Sequence, residues 1–104
     1  MPSGLFGKAN LPANADTNLY TCPVGKNATA TVAFCNRTAA PIKVRLAVRS
    51  AAIADSDYLE YETEIPANGI LERNQIALAA GEIITVRANA AGVSARAHGF
   101  EEDA

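Results

Sequence analysis

His98 is the only histidine of the chain, and it lies on a run whose other outward residues are Ser94 and Arg96. One imidazole, without a second His or a Cys-x-x-Cys pair, does not make a transition-metal site. Asp55, Ser56 and Asp57 offer hard oxygen ligands, but Asp-Ser-Asp ahead of a strand is far more often a loop and strand cap. Glu60, Glu62 and Glu64 fall on one side of an alternating run, as paired carboxylates must. General acid–base work also needs an apolar pocket to raise one carboxyl, and these three stand on a polar face. Nucleophile elbow, P-loop and glycine-rich dinucleotide turn are all absent from the sequence. The expectation is a protein with no catalytic residues, no metal and no cofactor, and not an enzyme.

Cys22 and Cys35 are the two cysteines. Leu19-Tyr20-Thr21-Cys22 reads as a short strand stopped by Pro23, and Val24-Gly25-Lys26-Asn27 supplies turn chemistry, which predicts a hairpin. Cys35 then stands about seven residues beyond the position opposite Cys22, roughly 23 Å away. A disulfide needs Cα atoms within about 7 Å, so an intrachain bridge is disfavoured. Two readings stay open: reduced thiols in a cytoplasmic product, or an intermolecular disulfide from Cys22 or Cys35 in an oxidising medium.

The elements that would position these groups read as strands. In Ile42 to Ser50, Ile42, Val44, Leu46 and Val48 alternate with Lys43, Arg45, Ala47 and Arg49, the pattern of a central strand with one dry and one basic face. Thr29 to Asn36 puts Ala30, Val32 and Phe34 inward and Thr29, Thr31, Ala33 and Cys35 outward. In Tyr58 to Ile65, Leu59, Tyr61, Thr63 and Ile65 face one way and Tyr58, Glu60, Glu62 and Glu64 the other. That acidic face matches the basic face of Ile42 to Ser50: either the two strands are neighbours, and cross-strand pairs favour that register, or these are two unrelated solvated faces. Residues 51–57 form a loop with room for one helical turn. Pro66-Ala67-Asn68-Gly69 turns into a short strand at Ile70 to Arg73, and further strands follow at Glu82 to Ala88 and Val93 to Phe100. Closely spaced strands without a helical period predict an all-β, single-domain antiparallel β-sandwich or jelly-roll-like barrel. The predicted organisation is an extended N-terminal arm at 1–18, a sandwich at 19–100 and an acidic tail at 101–104. Leu5, Phe6 and Leu11 are the expected docking anchors of that arm.

The chain has 104 residues, no Trp, three Phe and three Tyr, so its core must be built of small aliphatic side chains. A net charge of −2 argues against general attraction to nucleic acid or anionic lipid. The first residues lack the apolar core of a signal peptide, which predicts synthesis in a cytoplasm and no membrane span. Asn27-Ala28-Thr29 and Asn36-Arg37-Thr38 match a glycosylation pattern but read most simply as turn residues.

Leu19-Tyr20-Thr21, Pro23, Gly25, Cys35-Asn36, Val44-Arg45-Leu46-Ala47, Asp57-Tyr58-Leu59-Glu60-Tyr61, Ile65 to Arg73, Ala80-Gly81-Glu82 and His98-Gly99-Phe100-Glu101-Glu102 together resemble a group of small tailed-bacteriophage virion proteins. The segment from Asp57 to Arg73 and the Gly-Phe-Glu-Glu ending carry the resemblance most specifically. It implies a non-enzymatic structural subunit located in the virion, a capsid decoration (cement) or neck and tail accessory protein. Its implied partners are other phage virion proteins and further copies of itself, through the arm and the wet face of Lys43, Arg45 and Arg49. A receptor- or carbohydrate-binding module of a tail fibre is the alternative. Cys22 falls where relatives would carry an aliphatic residue, so no role for it comes with the resemblance.

Overall fold

A computed structural model describes residues 3–103; Met1, Pro2 and Ala104 of the expected arm and tail lie outside them. The strands are β1 (Ser3–Leu11), β2 (Thr17–Thr21), β3 (Lys26–Asn36), β4 (Ile42–Arg49), β5 (Tyr58–Ile65), β6 (Ile70–Leu78), β7 (Ile83–Ala88) and β8 (Val93–Asp103), with one 3₁₀ turn at Asp55–Asp57. They form two four-stranded sheets, β1-β8-β3-β6 and β2-β7-β4-β5, in which every ladder is antiparallel. Every connection except β4 to β5 passes from one sheet to the other. This is the strand order of an eight-stranded jelly roll, and the all-β sandwich expected from the alternation is present.

The alternation builds the core directly. Ala30, Val32 and Phe34 of β3 and Val44 and Leu46 of β4 point between the sheets and are almost fully buried, together with Ile65, Ile84, Val86 and Val93. Phe34 is the one aromatic among them, and β8 faces inward with the small residues Val93, Ala95 and Ala97. Small side chains on one strand and larger ones on its neighbours let the two inner faces interdigitate.

Crossing connections overturn two expectations. The turn at Pro23–Gly25 does not close a hairpin, because β2 lies in one sheet and β3 in the other. Nor is the N-terminal segment an arm: Ser3–Leu11 pairs with β8 along its length, and Leu11 is only 2% exposed. Phe6 is half-buried and stacks on Tyr20, with ring centroids 4.2 Å apart. Leu11 and Phe6 therefore anchor β1 to its own domain. Gly7 permits the approach, since a Cβ there would run into the carbonyl oxygen of Leu19. The acidic ending is likewise structured: β8 continues to Asp103, and Glu101 is buried, accepting a hydrogen bond from the Tyr20 hydroxyl.

At the opposite end the connections are tied through Asn36, which is 1% exposed. Its Nδ2 donates to the carbonyls of Ala40 at 2.8 Å, Pro66 at 3.1 Å and Ile65 at 3.2 Å, and its Oδ1 accepts from the Thr38 amide at 3.0 Å.

The sheet edges share one feature. The ladders between interior strands, β3 with β8 and β4 with β7, run without a register shift. Every ladder that joins an edge strand to its neighbour contains a bulge: near Phe6 in β1, Leu19 in β2, Gln75 in β6 and Glu62 in β5. Gln75 and Glu62 take left-handed backbone, with φ of 57° and 52°. A bulge twists an edge away from the regular form that another strand would copy.

If β1 is part of the fold, Leu11→Ala is expected to cost about 2–5 kcal/mol in urea unfolding. Removing residues 1–12 is expected to abolish the cooperative transition. A truncated domain with an unchanged midpoint would restore the docking-arm reading.

Candidate functional site

With the edges bulged and the core closed, the surfaces left for function are the outer faces of the two sheets. The outer face of β2-β7-β4-β5 carries the basic residues singled out in the sequence. Arg45 Nε donates to Glu62 Oε2 at 2.9 Å, and its guanidinium carbon lies 4.5 Å from the centroid of the Tyr61 ring. The Arg45 guanidinium holds the Glu62 carboxyl below the usual carboxylate range. Lys43 is the register partner of Glu64. Arg49 turns to neutral oxygens: Nε donates to Thr85 Oγ1 at 3.0 Å, Nη1 to the Ala51 carbonyl at 2.9 Å and Nη2 to Asn18 Oδ1 at 2.9 Å. Arg87 pairs with Asp16 at 3.5 Å. This face is laced together within the subunit.

The bulge in β5 changes which residues it presents. Tyr61 and Glu62 together stand opposite Arg45, between the pairs Val44↔Thr63 and Leu46↔Glu60. An extra residue reverses the alternation beyond it. Tyr61, expected on the side of Thr63 and Ile65, is therefore 57% exposed, and Leu59, the extra residue at a second register shift between the pairs Leu46↔Glu60 and Ala47↔Tyr58, is 38% exposed. Glu60 instead turns to the rim, where it accepts from Thr63 Oγ1 at 2.8 Å and from Arg73 Nη1 of β6 at 2.7 Å. The three carboxylates do not share a face. Asp57 is also occupied, accepting from the Ala54 amide at 2.9 Å to cap its own 3₁₀ turn. Asp55, Tyr58 and Tyr61 line a shallow depression beside this turn.

The outer face of β1-β8-β3-β6 is less tied down. Registers across its ladders align Lys8, Arg96, Ala33 and Glu72 in one row, and Asn10, Ser94, Cys35 and Ile70 in the next. His98 lies outward between Leu5 and Thr31, its Nδ1 enclosed without a hydrogen-bond partner. Ile70 is 73% exposed, and Leu5, the one expected anchor that faces outward, is 48% exposed. Arg37 reaches over Ser94 and Asn10 and donates to both side chains. Among the described residues Lys8, Arg96 and Glu72 form no ion pair. Sequence reasoning did not bring these three together, because their alignment depends on pairings between distant strands.

The cysteines separate by environment. Cys22 is buried, and its Sγ donates to the Lys26 carbonyl oxygen at 3.5 Å, so it is part of the core and withdrawn from any bridge to another chain. Cys35 is exposed. The two thiols are free and stand at opposite ends of β3, a separation in keeping with the expectation against an intrachain bridge.

No protein-family model matches the chain, and no curated protein matches it significantly.

Two measurements test this assignment. In dilute protein, where the single subunit prevails, a thiol reagent is expected to modify one equivalent, Cys35, and Cys22 only after unfolding. The second concerns Tyr20, whose phenol is pushed well above its ordinary value near 10 by burial and by the Glu101 carboxylate. A raised folded pKa gives stability that is complete below the unfolded value and lost as pH rises through the folded one. Above about pH 10 wild-type stability is expected to fall more steeply than that of Tyr20→Phe, by at most about 1.4 kcal/mol per pH unit. Parallel pH profiles would remove Tyr20 from the account.

Proposed function

We propose that the protein is a non-enzymatic structural subunit of a tailed-bacteriophage virion, a capsid decoration or neck and tail accessory protein. It works by associating with its own copies and docking on the particle. The reading rests on the resemblance of the segments between Leu19 and Glu102 to small phage virion proteins. The jelly-roll strand order supports it by analogy of fold, which capsid proteins share with lectins and cupins. Packing of Phe6 and Leu11 within the subunit moves the proposed contacts from an arm to the outer faces. Folding takes place in the host cytoplasm and docking follows on the assembled particle. Any disulfide to a neighbouring chain would have to use Cys35.

One observation favours the alternative, a receptor- or carbohydrate-binding module of a tail fibre: the exposed Tyr61 with Tyr58 and Asp55 around a depression. Aromatic rings of this kind can stack on sugars. Here, however, Arg45 lies over the Tyr61 ring and the Tyr58 ring packs edge-on to it at 4.9 Å, so both aromatics already have partners within the subunit. Glycan-array binding that Tyr61→Ala removes would favour the module.

Mass spectrometry of purified virions tests the primary reading. The chain is expected in stoichiometric amounts in mature particles, and its absence from them would defeat the proposal.

A further inference from the structure

We propose that the outer face of β1-β8-β3-β6 binds a second copy of this chain as a two-fold symmetric, non-covalent dimer. The inference deepens the self-association in the proposed function and concerns the isolated protein.

The row Lys8, Arg96, Ala33, Glu72 places two cations on one half of the face and a carboxylate on the far edge, with an alanine between them. Such a row is complementary to its own reverse. A two-fold axis parallel to the strands, passing between β8 and β3, sets β1 of one copy over β6 of the other and β8 over β3. Lys8 then faces Glu72 of the second copy, and the same pair recurs on the other side of the axis. Facing sheets stand about 10 Å apart, a gap that an extended Lys and a Glu span together.

Shape agrees with charge. A groove of about 270 Å³ runs along β3, floored by Ala33 and Cys35 and walled by Ile70 and Glu72 on one side and Ser94 and Arg96 on the other. The axis that matches Lys8 to Glu72 also lowers the β8 ridge of the second copy, with its Arg96, into this groove beside Glu72. Leu5, about half exposed, and Ile70, largely exposed, flank the contact on its two outer strands. The opposite face is a poorer candidate, because Arg45 and Arg87 already have carboxylate partners within the subunit. Bulges in every edge strand disfavour edge-to-edge pairing, leaving a face as the route to self-association.

In this arrangement the Cys35 thiols of the two copies flank the axis with backbones about 10 Å apart, beyond disulfide reach. The dimer is therefore expected to persist in reductant.

Sedimentation equilibrium of the full chain, with and without reductant, is the test. The wild type is expected to be a dimer at micromolar to millimolar concentration. Lys8→Glu and Glu72→Lys, both at exposed positions, are each expected to weaken it roughly tenfold or more while the monomer keeps its folded circular dichroism spectrum and cooperative melting. The reciprocal double variant is expected to be tighter than either single variant. Ala33→Phe, which fills the groove without touching a charge, is expected to give monomer. A monomeric wild type overturns the proposal. So does a dimer that reductant dissolves, or one indifferent to both the charge reversals and the filled groove. Because this is read in solution, its failure leaves particle occupancy, the test of the virion reading, untouched.

Discussion

The structure depends on the buried amide of Asn36. Chain crossings crowd one end of the sandwich, where the β3–β4, β5–β6 and β7–β8 connections meet out of ladder register. Asn36 ties the first two through its side chain and backbone, the latter donating to the Gly69 carbonyl at 2.9 Å, while the Arg37 amide reaches the Gly92 carbonyl at 2.9 Å in the third. A hydrophobic residue of similar size would leave several carbonyls with fewer partners, at about 1–3 kcal/mol for each one fully buried. The same site needs a side chain that donates two hydrogens to carbonyls and accepts from an amide at once, a combination only a carboxamide offers. The other end is closed by a different pair, the Tyr20 hydroxyl on Glu101 across the two sheets.

The sequence made the strands legible and their connectivity illegible. The inward set Ala30, Val32 and Phe34 follows from period two alone, because one face of β3 meets water and the other does not. Carried one step further, the same period points Asn36 inward, the signal that separates a buried hub from a turn residue. Residues Ser3–Leu11 were obscured by Gly4, Gly7 and Asn10, which lower strand propensity, although Gly7 is required by the close passage over Leu19. Nothing local reveals that β2 and β3 belong to different sheets, since a hairpin and a sheet-to-sheet arch use the same Pro and Gly chemistry. Glu62 and Gln75 likewise carry no mark of left-handed backbone, so the reversal of Tyr61 and Glu60 is a tertiary fact.

Charge is distributed differently on the two outer faces. Complementary runs of basic and acidic residues in neighbouring strands were readable, and β4 and β5 do pair, with Arg45 on Glu62. Pairs this exposed contribute little to stability, commonly under about 1 kcal/mol. Their larger effect is to occupy groups that would otherwise be available to a partner. Across the sandwich, Lys8 stands directly beside Arg96, a juxtaposition of like charges that costs rather than stabilises in the single subunit.

The position of β8 has a consequence for how the domain comes into being. It is the last of the eight described strands in chain order, yet it lies between β1 and β3, holding β1 to the rest of its sheet. Until Val93–Asp103 has left the ribosome, β1 has no ladder partner, β3 has one edge open, and the inner faces of both are uncovered. Folding of the domain therefore waits for Val93–Asp103 and is dominated by contacts distant in sequence, a combination that makes it slow and leaves the incomplete sheets in need of protection from their neighbours.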